Sequence, residues 1–145
     1  MNVQSILTVK GTDVATVRPD ASLAQAAADL RDRSVGALVV SSDDSTIAGI
    51  ISERDVVRAI AAHGASALGR TVASAMSTQV ITCRVEDSVE SLMASMTERR
   101  VRHLPVVAPD ATLRGIVSIG DVVKLRLGQL ESENQALQDY VHQGR

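Results

Sequence analysis

The sequence predicts an α/β (α+β) fold made of two tandem β-α-β-β-α repeats followed by a C-terminal helix. Three observations support it: the chain aligns with itself at a constant offset, each copy alternates short apolar strands with amphipathic helices, and 45% of its 145 residues are hydrophobic. One repeat of about 50 residues would bury too little surface to fold alone. We therefore expect the two copies to pack sheet to sheet and to share a core.

The repeat has no gaps, and residues 16–57 align with residues 82–123. Apolar residues recur at helical spacing at equivalent positions: Leu23, Ala26, Ala27 and Leu30 in the first copy, and Val89, Leu92, Met93 and Met96 in the second. A segment of the form Gly-φ-φ-Ser-x-x-Asp, in which φ is apolar, occurs at residues 49–55 and again at 115–121. Chance does not produce this whole series in register.

Each copy predicts the same elements in the same order. Strands are expected near residues 14–17, 37–41 and 47–51, and again near 80–83, 103–107 and 113–117. Helices are expected to begin at serines suited to N-capping: Ser22 and Ser52, then Ser88 and Ser118. Residues 64–75 link the copies, with Gly64 as the helix stop. The expected units are a first repeat with its N-terminal segment (1–66), a second repeat (67–127) and a helical extension (128–145).

Composition argues against several classes of protein. The net charge is −2, the basic residues are scattered, and the chain has one Tyr with no Phe or Trp, so a nucleic-acid groove with stacking rings is not expected. No stretch has the length of a membrane span, and the first residues lack the basic region of a signal peptide. A single cysteine, Cys83, fits a reducing cytoplasm. We interpret it as a packing residue, with a reactive thiol as the alternative.

The repeated Ser-x-x-Asp motif has two interpretations. As a capping device, the serine accepts from free N–H groups of the first helical turn and the acid suits the helix dipole. As a binding device, the helix N-terminus offers N–H donors to an anion and the aspartate accepts the protons of a vicinal diol such as ribose. The motif alone favours the capping interpretation, and its duplication at Ser52–Asp55 and Ser118–Asp121 brings the binding interpretation closer to it.

The repeat, these two motifs and the sequence Val-Arg-His-Leu-Pro-Val-Val at 101–107 resemble CBS (cystathionine-β-synthase) domains over roughly residues 1–127. The resemblance implies two repeats around a pseudo-twofold axis with two nucleotide clefts between them. In the family the aspartate contacts the ribose hydroxyls, and the preceding serine lies near ribose or phosphate. Each cleft takes its aspartate from one repeat and its base-binding strands from the other.

Carried over by position, the resemblance assigns residues to each cleft. The first cleft would contain Ile50, Ser52, Asp55, Ser77, Ile81, Val101, Arg102 and His103. The second would contain Ile116, Ser118, Asp121, Thr12, Ala15, Val35, Gly36 and Ala37. The first cleft has two cations suited to phosphate where the second has two small uncharged residues. The second also has Val39 in place of the family's proline, which stands at Pro105.

Both cations of the first cleft have plainer interpretations. Arg102 could equally be a surface charge, and His103 could be a histidine packed at the start of a buried strand. His63 and His142 are distant in sequence, so no metal-ligand spacing appears, and no catalytic set of residues is evident.

The sequence therefore predicts a regulatory module, not an enzyme. It would be a stand-alone CBS pair that binds AMP, ADP, ATP or NAD(H) and signals to an unknown effector protein through a conformational change. The alternative is a structural adaptor with empty clefts, in which Ser-x-x-Asp is only a cap. An enzyme acting on nucleotides ranks last, because neither a general base nor a metal set is present in the pattern.

The tail carries an apolar stripe with the spacing of a heptad seam. Its members are Val123, Leu127, Leu130, Asn134, Leu137 and Val141. A lone asparagine in such a seam fixes register and favours two strands, which predicts a homodimer contact. The alternative is that the stripe packs on its own repeat pair.

Overall fold

The computed structural model describes residues 1–144 and shows two successive units, β-α-β-β-α in the first repeat and α-β-β-α in the second. The helices are α1 (Val3–Lys10), α2 (Leu23–Arg33), α3 (Glu53–His63), α4 (Val72–Ala75), α5 (Val89–Arg99) and α6 (Ile119–Gln143). The strands are β1 (Thr16–Val17), β2 (Ala37–Val40), β3 (Gly49–Ser52), β4 (His103–Val107) and β5 (Leu113–Ser118). The predicted α/β class and the serine caps of α2, α3, α5 and α6 are confirmed.

The two repeats differ in their sheets. In the first, β1 pairs parallel with β2, and β2 pairs antiparallel with β3; in the second, β4 and β5 form an antiparallel pair. The prediction of a strand near 80–83 is wrong. Within this segment only Cys83 forms a β-bridge, an isolated parallel one to Val106.

Pro105 explains the missing strand. In the first repeat the Val39 N–H donates to the Ala15 carbonyl over 3.0 Å, which extends the contact between β1 and β2. Pro105 stands at the equivalent position and has no N–H to donate. Only the flanking bonds remain, from Cys83 N to Pro105 O (3.0 Å) and from Val107 N to Cys83 O (2.9 Å).

The buried side chains form two cores, not the one shared core expected from the sequence. The first contains Val17, Leu23, Ala26, Leu30, Leu38, Val40, Ile51, Val56 and Val72. The second contains Val3, Ile6, Leu7, Cys83, Val89, Leu92, Met96, Leu104, Val106, Val117 and Val122. Ala37 and Val39 are buried but belong to neither core, because alternate residues of β2 point to opposite faces of the sheet.

Each of the short helices α1 and α4 precedes one repeat in the sequence but packs in the core of the other. Although α1 precedes the first repeat, its Val3, Ile6 and Leu7 lie in the second core, and Val3 N donates to the Asp87 carbonyl over 2.9 Å. Conversely, Val72 of α4 lies in the first core. The linker expected at 64–75 is therefore structured: a 3₁₀ helix (Gly64–Gly69) follows α3, which ends at Gly64 with a φ of 67°, and leads to α4.

The last helix, α6, is continuous through the predicted boundary at 127/128. Val122 packs into the second core, but every residue from Leu130 to Gly144 is exposed. Leu127, Leu130 and Leu137 are 54%, 60% and 63% exposed, so the stripe does not pack on its own repeat pair. None of the helices in residues 1–144 combines the length and hydropathy of a membrane span.

Candidate functional site

Both Ser-x-x-Asp motifs form complete capping boxes where a strand meets a helix. At the start of α3, Ser52 N donates to Asp55 Oδ2 (2.9 Å) and Asp55 N donates to Ser52 Oγ (3.3 Å). At the start of α6, Ser118 N donates to Asp121 Oδ2 (2.8 Å) and Asp121 N donates to Ser118 Oγ (3.2 Å). The capping interpretation is thus confirmed. Among residues 1–144 the hydrogen bonds to both carboxylates use Oδ2, which leaves Oδ1 of each to accept from another donor.

In the first candidate cleft, β3 is joined to the segment between the repeats. Ile50 N donates to Ser77 O over 3.0 Å, and Ser77 N donates to Ile50 O over 2.9 Å. Gly49 makes this approach possible, because a Cβ there would lie 2.7 Å from Ser77 O and 2.7 Å from Met76 Sδ. The motif Ser52–Asp55 begins at the last residue of β3, two positions after the residue that pairs with Ser77.

Two other residues assigned to the first cleft lie against the same core. Ile81 and Val101 both pack, partly buried, against the second core. Arg102 is exposed, while its carbonyl accepts from Ile119 N over 2.9 Å. Its side chain therefore remains open to either interpretation, a surface charge or a phosphate contact.

In the second candidate cleft, a residue outside the sequence-based set contacts Asp121. Lys10 Nζ lies 2.7 Å from Asp121 Oδ2 and donates to the Ile116 carbonyl over 2.9 Å. Lys10 ends α1, and the segment that carries Thr12 and Ala15 leads away from it. Thr12 is exposed, and Ala15 packs against the first core. Asp121, the aspartate assigned to the second cleft, therefore has a lysine beside it.

The two repeats also meet where His103 faces Gly36. A Cβ on Gly36 would lie 3.1 Å from His103 Cε1 and 3.3 Å from its Nε2. Each segment is held to the helix start of its own repeat, since Glu53 N donates to Gly36 O over 3.1 Å and Ile119 N donates to Arg102 O. Val35 beside Gly36 is partly buried against the first core, and Ala37 is buried.

His103 lies among charges from both clefts. Its pKa is lowered, mainly by burial and then by the cation of Lys10, while Asp121 and Glu53 act in the opposite direction. Its assignment to the first cleft alone thus stays a prediction. The packed-histidine interpretation agrees with its burial.

The remaining candidate groups are Cys83 and the potential metal ligands. Cys83 is buried, and burial, followed by the charge of Asp87, raises the pKa of its thiol to about 12. This supports a packing role, because the thiolate is the reactive form. Within residues 1–144, no group of three or more His, Cys, Asp or Glu side chains is placed to hold a metal ion.

Comparison with known proteins identifies the matching family. The family model of the CBS domain matches residues 6–62 and 72–128. The chain is 36% identical over 129 residues to the mitochondrial CBS domain-containing protein CBSX3 of Arabidopsis thaliana. The alignment covers 86% of this chain and 62% of the plant protein. It thus spans less than two thirds of that relative's length.

Solved structures share the fold. A CBS-domain containing protein from Agrobacterium tumefaciens superposes with a TM-score of 0.84 at 44% identity, covering 87% of this chain and 99% of that one. A CBS domain protein from Pyrobaculum aerophilum, complexed with AMP, superposes with a TM-score of 0.74 at 24% identity, covering 83% of this chain and 89% of that one.

Proposed function

The chain belongs to the CBS domain family, and on that basis we propose that it is a regulatory module that binds an adenosine-containing ligand between its two repeats. The candidates are AMP, ADP, ATP and NAD(H). One observation carries the proposal: two equivalent Ser-x-x-Asp helix starts each lie against a segment that leads into the other half of the molecule. The AMP complex of the Pyrobaculum aerophilum protein, which has the same fold, supports the ligand class.

The chemistry of the helix starts suits a nucleotide. A carboxylate can hold a ribose diol by accepting both hydroxyl protons, and Oδ1 of Asp55 and of Asp121 is open to such a donor. The free N–H groups at a helix N-terminus attract phosphate. With a single Tyr in the chain, an adenine ring would lie between aliphatic side chains such as the half-buried Ile50 and Ile116.

A ligand in either cleft would contact residues from both repeats. It would therefore stabilise one relative arrangement of the repeats over others, to the extent that it binds that arrangement more tightly. We propose that an effector protein responds to this shift, and that the module is regulatory and not catalytic.

A structural adaptor with empty clefts is the second candidate. The observation that favours it is that both capping boxes are complete without a ligand. In this case Ser52, Asp55, Ser118 and Asp121 would only terminate the helices.

We also propose a homodimer in which α6 contributes to the contact. Its distal half is exposed on every side, and isolated helices of this length are marginal in water. A second copy would cover the exposed leucines and place Asn134 against its counterpart across the axis.

Ligand-induced stabilisation separates the sensor from the adaptor. A ligand at 100 times its Kd should stabilise the fold by about 2.7 kcal/mol. Thermal unfolding is measured with AMP, ADP, ATP, NAD and NADH at millimolar levels, and flat curves across the panel would favour the adaptor.

Calorimetry of two variants then tests the aspartates. Asp55→Asn and Asp121→Asn keep the size of the side chain, and each should weaken binding at its own cleft. Asp139→Asn, on the exposed end of α6, is the matched control and should bind as wild type does. If all three variants bind as wild type does, Asp55 and Asp121 are caps only.

A further inference from the structure

The two clefts also differ at a further pair of equivalent positions, Lys10 and Met76. In the second cleft, Lys10 Nζ lies 2.7 Å from the Asp121 carboxylate and bonds the Ile116 carbonyl. In the first cleft, Met76 packs its sulfur against Gly49, and the Ile50 carbonyl is taken by a backbone N–H instead. Among residues 1–144 no ion pair involves Asp55, whereas Asp121 already has a cation beside it.

We propose that Lys10 makes the second cleft selective for phosphorylated adenosine ligands over the unphosphorylated nucleoside. This inference rests on the proposed function, since it concerns the same cleft. A ribose diol that binds Asp121 must share the carboxylate with Lys10 or displace it. A displaced lysine needs a new anion, and a phosphate on the ligand supplies one.

The surroundings of Lys10 make its displacement unfavourable without that anion. The side chains of Lys10 and Asp121 are only 32% and 23% exposed, so water replaces their contact incompletely. Separating two partly buried opposite charges leaves each without a partner. A nucleoside offers only hydroxyl groups and a neutral base, which do not compensate the ammonium group.

Lysine is suited to such an exchange of partners. Its ammonium is a compact charge on a flexible four-carbon stem, so Nζ can move from a carboxylate to a nearby phosphate without movement of the backbone. Lys10 also ends α1, where the helix dipole favours a cation. In the first cleft, Met76 offers no charge, and we expect that cleft to distinguish nucleotide from nucleoside less strongly by this route.

The test isolates the second cleft and changes Lys10 alone. In an Asp55→Asn background, the Kd values of AMP and adenosine are measured by calorimetry for Lys10, Lys10→Met and Lys10→Arg. AMP should bind more tightly than adenosine in the background protein. Lys10→Met should weaken AMP by about 10-fold or more, as the loss of a charge-assisted hydrogen bond does, while adenosine binds as well or better.

Two controls keep the result specific. A groove of about 420 Å³ between α1 and α6 is lined by Lys10, Asp121 and Lys124. Lys124→Met removes one positive charge from this groove and leaves the pair of Lys10 and Asp121 intact. It should preserve the preference for AMP, as should Lys10→Arg, which keeps the cation.

The outcomes separate this inference from the proposed function. Equal weakening of AMP and adenosine by Lys10→Met would overturn the inference, as would an equal effect of Lys124→Met. Loss of all binding in the Asp55→Asn background would also overturn it, because the second cleft would then take no ligand. If neither compound binds the wild-type protein, the proposed function itself fails.

Discussion

Alanine at Gly49 is expected to destabilise the protein far more than alanine at the equivalent Gly115. A Cβ on Gly49 would meet Ser77 O and Met76 Sδ at 2.7 Å each, and the first of these is a backbone atom held in the bridge to Ile50. A Cβ on Gly115 would meet only the branched end of Leu7, at 3.0 and 3.3 Å. A backbone atom moves only if the chain moves, whereas a side-chain end can turn aside.

The size of the difference follows from these contacts. Overpacking a close-packed site costs about 1–3 kcal/mol. If the chain shifts, the two hydrogen bonds between Ile50 and Ser77 weaken, at about 0.5–1.5 kcal/mol each. Gly49→Ala should therefore lower the free energy of unfolding by about 2–6 kcal/mol. For Gly115→Ala the small steric cost is offset by the reduced freedom of the unfolded chain, about 0.4–1 kcal/mol, so its stability should stay within about 1 kcal/mol of wild type.

Urea unfolding followed by circular dichroism gives both free energies from the midpoint and the slope. An unchanged slope is required, so that the midpoints report stability. Equal losses for the two variants, or a larger loss for Gly115→Ala, would refute the contact geometry at Gly49.

Acidification, thiol labelling and substitution in α6 test three other parts of the molecule. Burial raises the pKa of Asp121, but the hydrogen bond from Lys10 and other contacts lower it on balance from 3.8, so the stability it contributes is present above that pH and lost below it. Below about pH 4 the wild type should lose more unfolding free energy than Asp121→Asn, and equal losses would contradict the pair. Because its pKa is raised to about 12 by burial, Cys83 should react with a colorimetric thiol reagent only after unfolding in urea; rapid labelling of the native protein would contradict this. Replacing Leu130 and Leu137 with Glu should weaken the dimer in sedimentation equilibrium while both repeats stay folded, since burying each leucine contributes about 1.5–3 kcal/mol; an unchanged dimer affinity would exclude the stripe as the contact.

Features that depend on local sequence were predictable. The serine caps follow from a side chain that bonds an N–H three residues away, and Ser22 and Ser88 cap α2 and α5 in this way. The apolar periodicity of both copies predicted most of the buried faces of the same two helices, including Leu23 and Val89, but it was wrong for Met93, which is 40% exposed.

Features that depend on distant partners were not predictable. Lys10 and Asp121 are separated by 111 positions, and only the exchange of α1 to the second repeat brings them together. A lysine at the end of a helix is a common dipole partner, so the sequence offered no distinct signal for it. The absence of the strand near Cys83 could be predicted in part, because a proline in the neighbouring strand removes a hydrogen-bond donor from the ladder.

The exchange of α1 and α4 has a consequence for how the chain folds. Val3, Ile6 and Leu7, which lie before β1 in the sequence, complete a core whose last member along the chain is Val122. This helix cannot complete that core until the chain as far as Val122 has been synthesised, and such non-local contacts slow folding. Neither repeat can complete its core alone, because each core includes a short helix that precedes the other repeat in the sequence. Although the sequence is a duplication, the two halves are expected to fold and unfold as a single cooperative unit.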